Sequence, residues 1–365
     1  MNNGHKIIIA GGGTGGHIFP AIAIARALQQ KEKDIDLLFV GAKGKMEMEK
    51  VPEAGYKIIG LNIAGMNRSS RFKNITLPFK LMGSMMKAGS ILKRFQPDVV
   101  VGVGGYASFP VLKMAQARGI PTVIQEQNSF AGKTNILLGK KAMRICVASK
   151  GMESFFPKNR IVQTGNPVRK SILSADMNRN KAIASFELRE ESKTIFIVGG
   201  SLGAGSVNEA LLAHLDELIE SGVQLIWQTG ATSFSIVKKA VEKYKNRIKV
   251  FAFIKEIERA YAAADVIVSR AGALALAELS VVGKPVIFVP FPLAAENHQV
   301  KNAVSFVEAG AAGMIEDRKA KEVLVAELIQ LIHDEEKQQK WAKNIKRLAI
   351  TNADSRIAKE IFNLL

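Results

Sequence analysis

Short β-branched runs alternate with helical stretches along the whole chain, in two series that each open with the same unit. In the first, Lys6-Ile7-Ile8-Ile9-Ala10 leads into Gly11-Gly12-Gly13-Thr14-Gly15-Gly16-His17 and then Ile18-Phe19-Pro20-Ala21-Ile22-Ala23. In the second, Thr194-Ile195-Phe196-Ile197-Val198 leads into Gly199-Gly200-Ser201-Leu202-Gly203-Ala204-Gly205-Ser206 and then Val207-Asn208-Glu209-Ala210-Leu211-Leu212. Alternating strands and helices require parallel sheets covered on both faces, so the fold class is α/β with two doubly wound, Rossmann-like domains. Strands are expected at Lys6–Ala10, Asp36–Val40, Asp98–Val103, Thr122–Gln125 and Arg144–Ala148. The second series is expected at Thr194–Val198, Gln224–Gln228, Ile248–Phe251, Val266–Ser269 and Pro285–Val289. Pro20 is placed in the first turn of its helix, where its missing N–H costs nothing. Gly165-Asn166-Pro167 punctuates the chain between the two series.

Glycines let a backbone approach a ligand, and a helix N-terminus behind them favours an anion. Gly11, Gly13 and Gly16 satisfy the dinucleotide fingerprint, but a dinucleotide site also needs an acid where the second strand exits. Asp34 and Asp36 sit at its entry, and its exit reads Gly41-Ala42-Lys43, which disfavours a nicotinamide enzyme. The loop after Val198 lacks the Gly-Lys-Ser/Thr ending of a Walker A loop. It can cradle phosphate, or it can be a tight turn only.

Composition bounds the remaining classes. Apolar residues make up 47% of the chain and charged residues 23%, and no run reaches the ~18 apolar residues of a membrane span. Cys146 is the only cysteine, which rules out an internal disulfide, and no zinc pattern is present. The formal charge is +18, and it is uneven. From Ala54 to Gly151 there are fifteen Lys and Arg against two acids, Asp98 and Glu126. Such a field points to an anionic surface. Nucleic acid is disfavoured because stacking aromatics are scarce, with four Tyr and two Trp in all. The segment from Pro78 to Phe95 repeats Lys80, Lys87 and Arg94 as a basic stripe beside an apolar face that includes Met82 and Met85. With Arg71, Phe72, Lys73, Phe79, Lys140 and Lys141 it reads as a membrane-surface patch, or as a domain helix whose apolar side is core.

Three further side chains could carry chemistry. His17 could act as a general base or could bond its own loop. Glu278, in the second turn of the helix after Ser269-Arg270-Ala271-Gly272, could accept ribose hydroxyls or lie on a solvated face. The loop Phe291-Pro292-Leu293-Ala294-Ala295-Glu296-Asn297-His298-Gln299 could face a ligand or cap a helix. Asp34-Ile35-Asp36 has the form of a metal motif but enters a strand rather than leaving one.

Six motifs fall in order: Gly12-Gly13-Thr14-Gly15-Gly16-His17, Val103-Gly104-Gly105-Tyr106, Gln125-Glu126-Gln127-Asn128, Gly165-Asn166-Pro167-Val168-Arg169, Gly199-Gly200-Ser201-Leu202-Gly203-Ala204 and Arg270-Ala271-Gly272-Ala273-Leu274. Together they resemble the MurG family of peptidoglycan N-acetylglucosaminyltransferases, glycosyltransferase family 28. The resemblance implies the GT-B fold, two Rossmann-like domains facing across a cleft. Residues 1–165 would form the acceptor and membrane domain, with helix 352–365 packing back on it, and residues 166–351 the donor domain. The implied reaction moves GlcNAc, with inversion, from UDP-GlcNAc to the MurNAc 4-hydroxyl of undecaprenyl-pyrophosphoryl-MurNAc-pentapeptide (lipid I). The product is lipid II, for cell-wall synthesis, and a GT-B enzyme with a diacylglycerol-type acceptor is the alternative. Donor contacts carried over are Thr14, Gly15, Gly16, Asn128, Arg169, Ser201, Ile254, Ala273, Leu274, Ala275, Leu276, Ala277, Glu278 and Gln299. Gly13, Tyr106 and Glu126 fall to the acceptor, and His17 is the candidate base. Many relatives carry Thr or Ser at the positions of Ala275 and Ala277, so contacts there are expected from backbone. No cofactor and no metal are expected. The implied partners are UDP-GlcNAc, lipid I, an anionic lipid surface on the cytoplasmic face of the bacterial inner membrane, and other cell-wall synthesis proteins, but no nucleic acid.

Overall fold

A computed structural model of the chain describes residues 4–63, 77–200, 203–294 and 297–365. Two compact units emerge: Met1–Val168 together with Asn352–Leu365, and Arg169–Thr351. The chain passes from one to the other at Val168–Arg169, three residues beyond the break expected at residue 165.

The first unit holds seven parallel strands: β1 Lys6–Ala10, β2 Asp36–Ala42, β3 Lys57–Leu61, β4 Val99–Gly102, β5 Thr122–Glu126, β6 Arg144–Val147 and β7 Ile161–Gln163. They lie in the order β3-β2-β1-β4-β5-β6-β7. In β1, Ile7 and Ile9 enter one core with Ile18, Ile24 and Leu28 of the Gly15–Lys31 helix. Ile8 and Ala10 enter the opposite core with Ala88, Leu92 and Leu112. Alternate side chains feeding two apolar layers is why the strand is apolar throughout. The first core is completed by Ile357, Ala358 and Ile361 of the Ala353–Phe362 helix. There Arg144 meets Glu360 at 3.3 Å.

The second unit holds six parallel strands: β8 Thr194–Val198, β9 Gln224–Gln228, β10 Ile248–Phe251, β11 Val266–Ser269, β12 Val286–Phe288 and β13 Gly313–Met314, in the order β10-β9-β8-β11-β12-β13. Ile195, Ile197, Leu225 and Trp227 pack with Leu211, Leu324 and Leu328 on one side of it.

Both sheets reverse their strand order beside the first strand of each unit, between β1 and β4 and between β8 and β11. Loops leaving neighbouring strands diverge at such a switch point and open a crevice at the carboxyl ends. The glycine loop after β1 thus lies beside that after β4, and the loop after β8 beside that after β11.

Three strands were not expected: β3, β7 and β13. All are edge strands, none exceeds five residues, and β7 and β13 bury no residue fully. Pro20 is also displaced, because the helix starts at Gly15. His17 and Ile18 N–H both bond the Thr14 carbonyl, at 3.0 and 3.2 Å, which closes a turn before the proline is reached.

Candidate functional site

In the first unit the two switch-point loops touch backbone to backbone. Gly12 N–H donates to Gly104 O at 3.2 Å. A Cβ on Gly105, whose φ is +83°, would lie 2.2 Å from Gly12 O, so only glycine fits. Gly11 N–H bonds Val40 O at 3.0 Å, and Gly13 N–H bonds the Glu47 carboxylate at 2.8 Å. The other Glu47 oxygen accepts from Ala42 N–H at 2.9 Å, and the residue is buried. The amides of Gly11 to Gly13 therefore hold the loop itself. At the helix start the N–H groups of Thr14, Gly15 and Gly16 have no carbonyl a turn behind them, the arrangement that suits an anion. Gly13, expected at the acceptor, therefore has its N–H already taken by Glu47.

His17 sits in the first helical turn. Its Nδ1 lies 3.1 Å from Gly12 O and 3.2 Å from Thr14 Oγ1. A carbonyl can only accept, so Nδ1 carries a proton. The bond of His17 to its own loop is thus present, and it fixes which ring nitrogen carries the proton. Gly104 backs the ring closely enough that a Cβ there would lie 2.9 Å from Nε2.

Glu126 ends β5 and is 2% exposed. Its carboxylate accepts from Asn128 N–H (3.1 Å), Asn128 Nδ2 (3.3 Å), Gly132 N–H (3.1 Å) and Asn135 Nδ2 (2.8 Å). Burial pushes its pKa up, outweighing the hydrogen bonds that pull it down. Glu126, expected at the acceptor pocket, has both oxygens engaged by its own loop and so organises residues 126–135. Asn135 Oδ1 is buried without a partner among the described residues. Tyr106, in the loop after β4, is exposed.

In the second unit Ser201 lies outside the described residues. On either side of it, Gly200 and Gly203 hold φ near +80° and lead to the Gly205–Ala213 helix. After β11, Gly272 caps the Ala273–Val282 helix, so the amides of Ala273, Leu274 and Ala275 form its first turn. Leu276, expected among the donor contacts, has its side chain buried in the core. Ala275 and Ala277 are half-buried and bring only backbone and a methyl group.

Glu278 is not on a solvated face. It is 7% exposed and receives both arms of Arg169: Nε to Oε1 at 2.6 Å and Nη2 to Oε2 at 2.7 Å. The two residues were expected to meet the donor separately; the structure makes them one unit. Tyr261 lies fully buried nearby, its pKa raised by burial first and by the Glu278 charge second.

Arg270 ties three segments together. It donates to Val289 O (2.9 Å), Pro290 O (3.3 Å) and Ser206 Oγ (3.2 Å), pairs with Asp317, and lies 5.6 Å from the centre of the Phe291 ring. Gln299 Oε1 accepts from Phe291 N–H at 2.9 Å, bracing the loop after β12. Ile254 is buried, and its N–H is taken by Gln228 Oε1 at 2.9 Å. Glu47, Arg270 as a brace and Gln228 went unnoticed in the sequence, since nothing local marks a glutamate or glutamine as turned inward.

Arg71, Phe72 and Lys73 of the basic patch lie outside the described residues. The Leu77–Phe95 helix buries Ala88, Ile91 and Leu92 but exposes Phe79, Met82 and Met86, at spacings of three and four. The apolar side is therefore divided: its later half is core, and its earlier half carries an outward stripe. Met85 is half-buried and belongs to neither. Lys80 is half-buried, Lys87 donates to Gly60 O at 2.9 Å, and Lys140 and Lys141 are exposed. Among the described residues no helix is long and apolar enough to cross a membrane.

Comparison with known proteins bears on both units. Residues 7–147 match the Glycosyltransferase family 28 N-terminal domain and residues 194–361 its C-terminal domain. The chain is 48% identical to the UDP-N-acetylglucosamine–N-acetylmuramyl-(pentapeptide) pyrophosphoryl-undecaprenol N-acetylglucosamine transferase of Flavobacterium psychrophilum, covering 99% of this chain and 98% of that one. It is 50% identical to the protein of that name from Bacteroides fragilis, covering 98% and 95%. The crystal structure of Acinetobacter baumannii MurG matches with a TM-score of 0.81 at 29% identity over 99% of each chain. A UDP-GlcNAc 2-epimerase from Neisseria meningitidis, at 15% identity and a TM-score of 0.66, shares the fold. The two parallel sheets are those of GT-B glycosyltransferases.

Proposed function

Because the chain belongs to glycosyltransferase family 28, we propose that it transfers N-acetylglucosamine from UDP-GlcNAc to the MurNAc 4-hydroxyl of lipid I, giving lipid II and UDP. The observation that carries this reading is the Arg169–Glu278 pair, its glutamate on the helix that follows β11, the strand at the switch point. A carboxylate offers about four acceptor positions, and Arg169 fills two. The remaining two suit the paired hydroxyls of a ribose, while Arg169 holds the carboxylate turned for them.

The helices starting at Gly205 and Ala273 present their positive ends where a diphosphate leaving group would gain charge. In the first unit His17 Nε2 takes the proton of the acceptor hydroxyl. As that oxygen bonds to the anomeric carbon, the bond from carbon to the diphosphate oxygen breaks, and UDP leaves with the electron pair. One such displacement inverts the anomeric centre.

The lipid-linked acceptor is reached from the membrane surface. Phe79, Met82 and Met86 would enter the headgroup boundary while Lys140 and Lys141 meet anionic lipid. Peripheral attachment to the cytoplasmic face of the inner membrane follows.

The deciding assay offers radiolabelled UDP-GlcNAc to the full-length chain with a lipid I analogue or with diacylglycerol. Label extracted with the lipid I analogue supports the proposal. Label on diacylglycerol alone, or on neither, overturns it.

A further inference from the structure

Gln228 is the last residue of β9, the strand between β8 and β10. It pairs in register with Val198 on one side and Phe251 on the other, so the loops leaving both neighbours pass its side chain. That side chain is 2% exposed, and its amide is used at both ends. Oε1 accepts from Ile254 N–H at 2.9 Å, in the loop after β10. Nε2 donates to Gly200 O at 3.2 Å, in the loop after β8.

Gly200 and Gly203 both hold positive φ, a conformation glycine leaves as readily as it enters. The foundation beneath them, by contrast, is fixed. Trp227 Nε1 donates to Asn208 Oδ1 at 2.9 Å, and Asn208 Nδ2 donates to Thr229 O at 3.0 Å. A Cβ on Gly203 would lie 2.1 Å from that same Thr229 oxygen.

We propose that Gln228 is a positioning residue for the donor nucleotide, holding the Gly200 loop and the Ile254 loop at one spacing so that they bind it as a single surface. This rests on the reading that the second unit holds the donor. Strands stand ~4.8 Å apart, so loops two strands apart are separated by roughly 10 Å, about the reach from a diphosphate to its base. The Gly200 loop leads to a helix N-terminus suited to the diphosphate. The loop after β10 exposes Phe253, an aromatic face for the heterocycle. Without the amide each loop could still take its half of the ligand, but ordering the two together would have to be supplied by binding.

The test substitutes Gln228→Met, close in length and volume, in the full-length chain. Calorimetry then measures UDP, uridine and inorganic pyrophosphate separately. The expected result is a roughly tenfold loss for UDP with less than about a twofold change for either fragment. Unchanged UDP affinity, or a loss for uridine equal to that for UDP, overturns the proposal. Amide exchange read without ligand gives the second measurement. The Ile254 amide should exchange at least tenfold faster in Gln228→Met, with Trp227 unaltered, and an unaltered Ile254 also overturns it. Should Gln228→Met not fold, Gln228→Glu keeps the Ile254 acceptor and removes only the Gly200 donor. Ile254 must then stay protected while UDP weakens, and the opposite pattern refutes the idea. If the wild-type chain binds none of the three probes, the donor-site reading fails, while amide exchange still judges the bridge.

Discussion

Replacing Glu278 with Gln separates a role in folding from a role in binding. In the native pair two short bonds join a side chain 10% exposed to one 42% exposed. Deleting one partner of a fully buried pair costs about 3–5 kcal/mol, but water reaches Arg169, so about 1–2 kcal/mol is the expected loss. For a unit of this size that lowers the melting temperature by about 2–8 °C. The nucleotide should suffer more. The amide of Gln turns its one oxygen toward Arg169 and its NH2 away, so the ribose hydroxyls lose their charged acceptor. Two such bonds at about 1.5 kcal/mol each weaken UDP by about 100-fold. Calorimetry with UDP and 2′-deoxy-UDP on wild type and Glu278→Gln closes the cycle. Wild type should favour UDP by about tenfold, and the variant should not distinguish them. If Glu278→Gln keeps the full preference for UDP, Glu278 does not hold the ribose, and the argument from the Arg169 pair is refuted.

Other expectations concern the first unit. Burial raises the Glu126 carboxyl above its ordinary 4.5, so the folded chain holds that proton longer than the unfolded one. The stability this contributes is whole below 4.5 and is lost as pH rises through the folded value. The melting temperature of wild type minus that of Glu126→Gln should therefore fall as pH rises above 4.5, and parallel curves would exclude it. His17→Ala should lower turnover by about 10²–10⁴ with UDP affinity unchanged; equal turnover removes His17 as the base. Gly104→Ala places a Cβ 2.9 Å from His17 Nε2 at a φ of +91°, and should reduce turnover at least tenfold without touching UDP binding. Phe79→Glu with Met86→Glu should abolish flotation with anionic vesicles in physiological salt while leaving UDP affinity intact, and continued flotation moves membrane contact elsewhere.

The architecture could be read from the chain wherever a strand was central. Runs such as Ile7-Ile8-Ile9 and Ile195-Phe196-Ile197 bury both faces, so their apolar character is continuous and visible. Lys57–Leu61 and Ile161–Gln163 lie at edges with one side to water, and half their signal is missing. The site divides along similar lines. Glycines announce loops, because their need is a property of the backbone at one place. Partners do not: Arg169 and Glu278 are 109 residues apart, and Glu47 sits among acids that look solvated while its carboxylate holds Gly13 and Ala42. Glu126 was noticed for its charge, but the turn of its side chain into residues 128–135 depends on tertiary packing.

The helix that ends the chain sets the order in which the protein can be finished. Ile357, Ala358 and Ile361 have no exposure and belong to the core beneath β1. Domains fold as they leave the ribosome, N-terminal first. Here the sheet synthesised first lacks part of its covering until residues 353–362 emerge, so it is completed after the second unit has been made. A nascent first unit keeps an apolar face open until residues 353–362 follow, and truncation ahead of them damages the unit whose strands were made first.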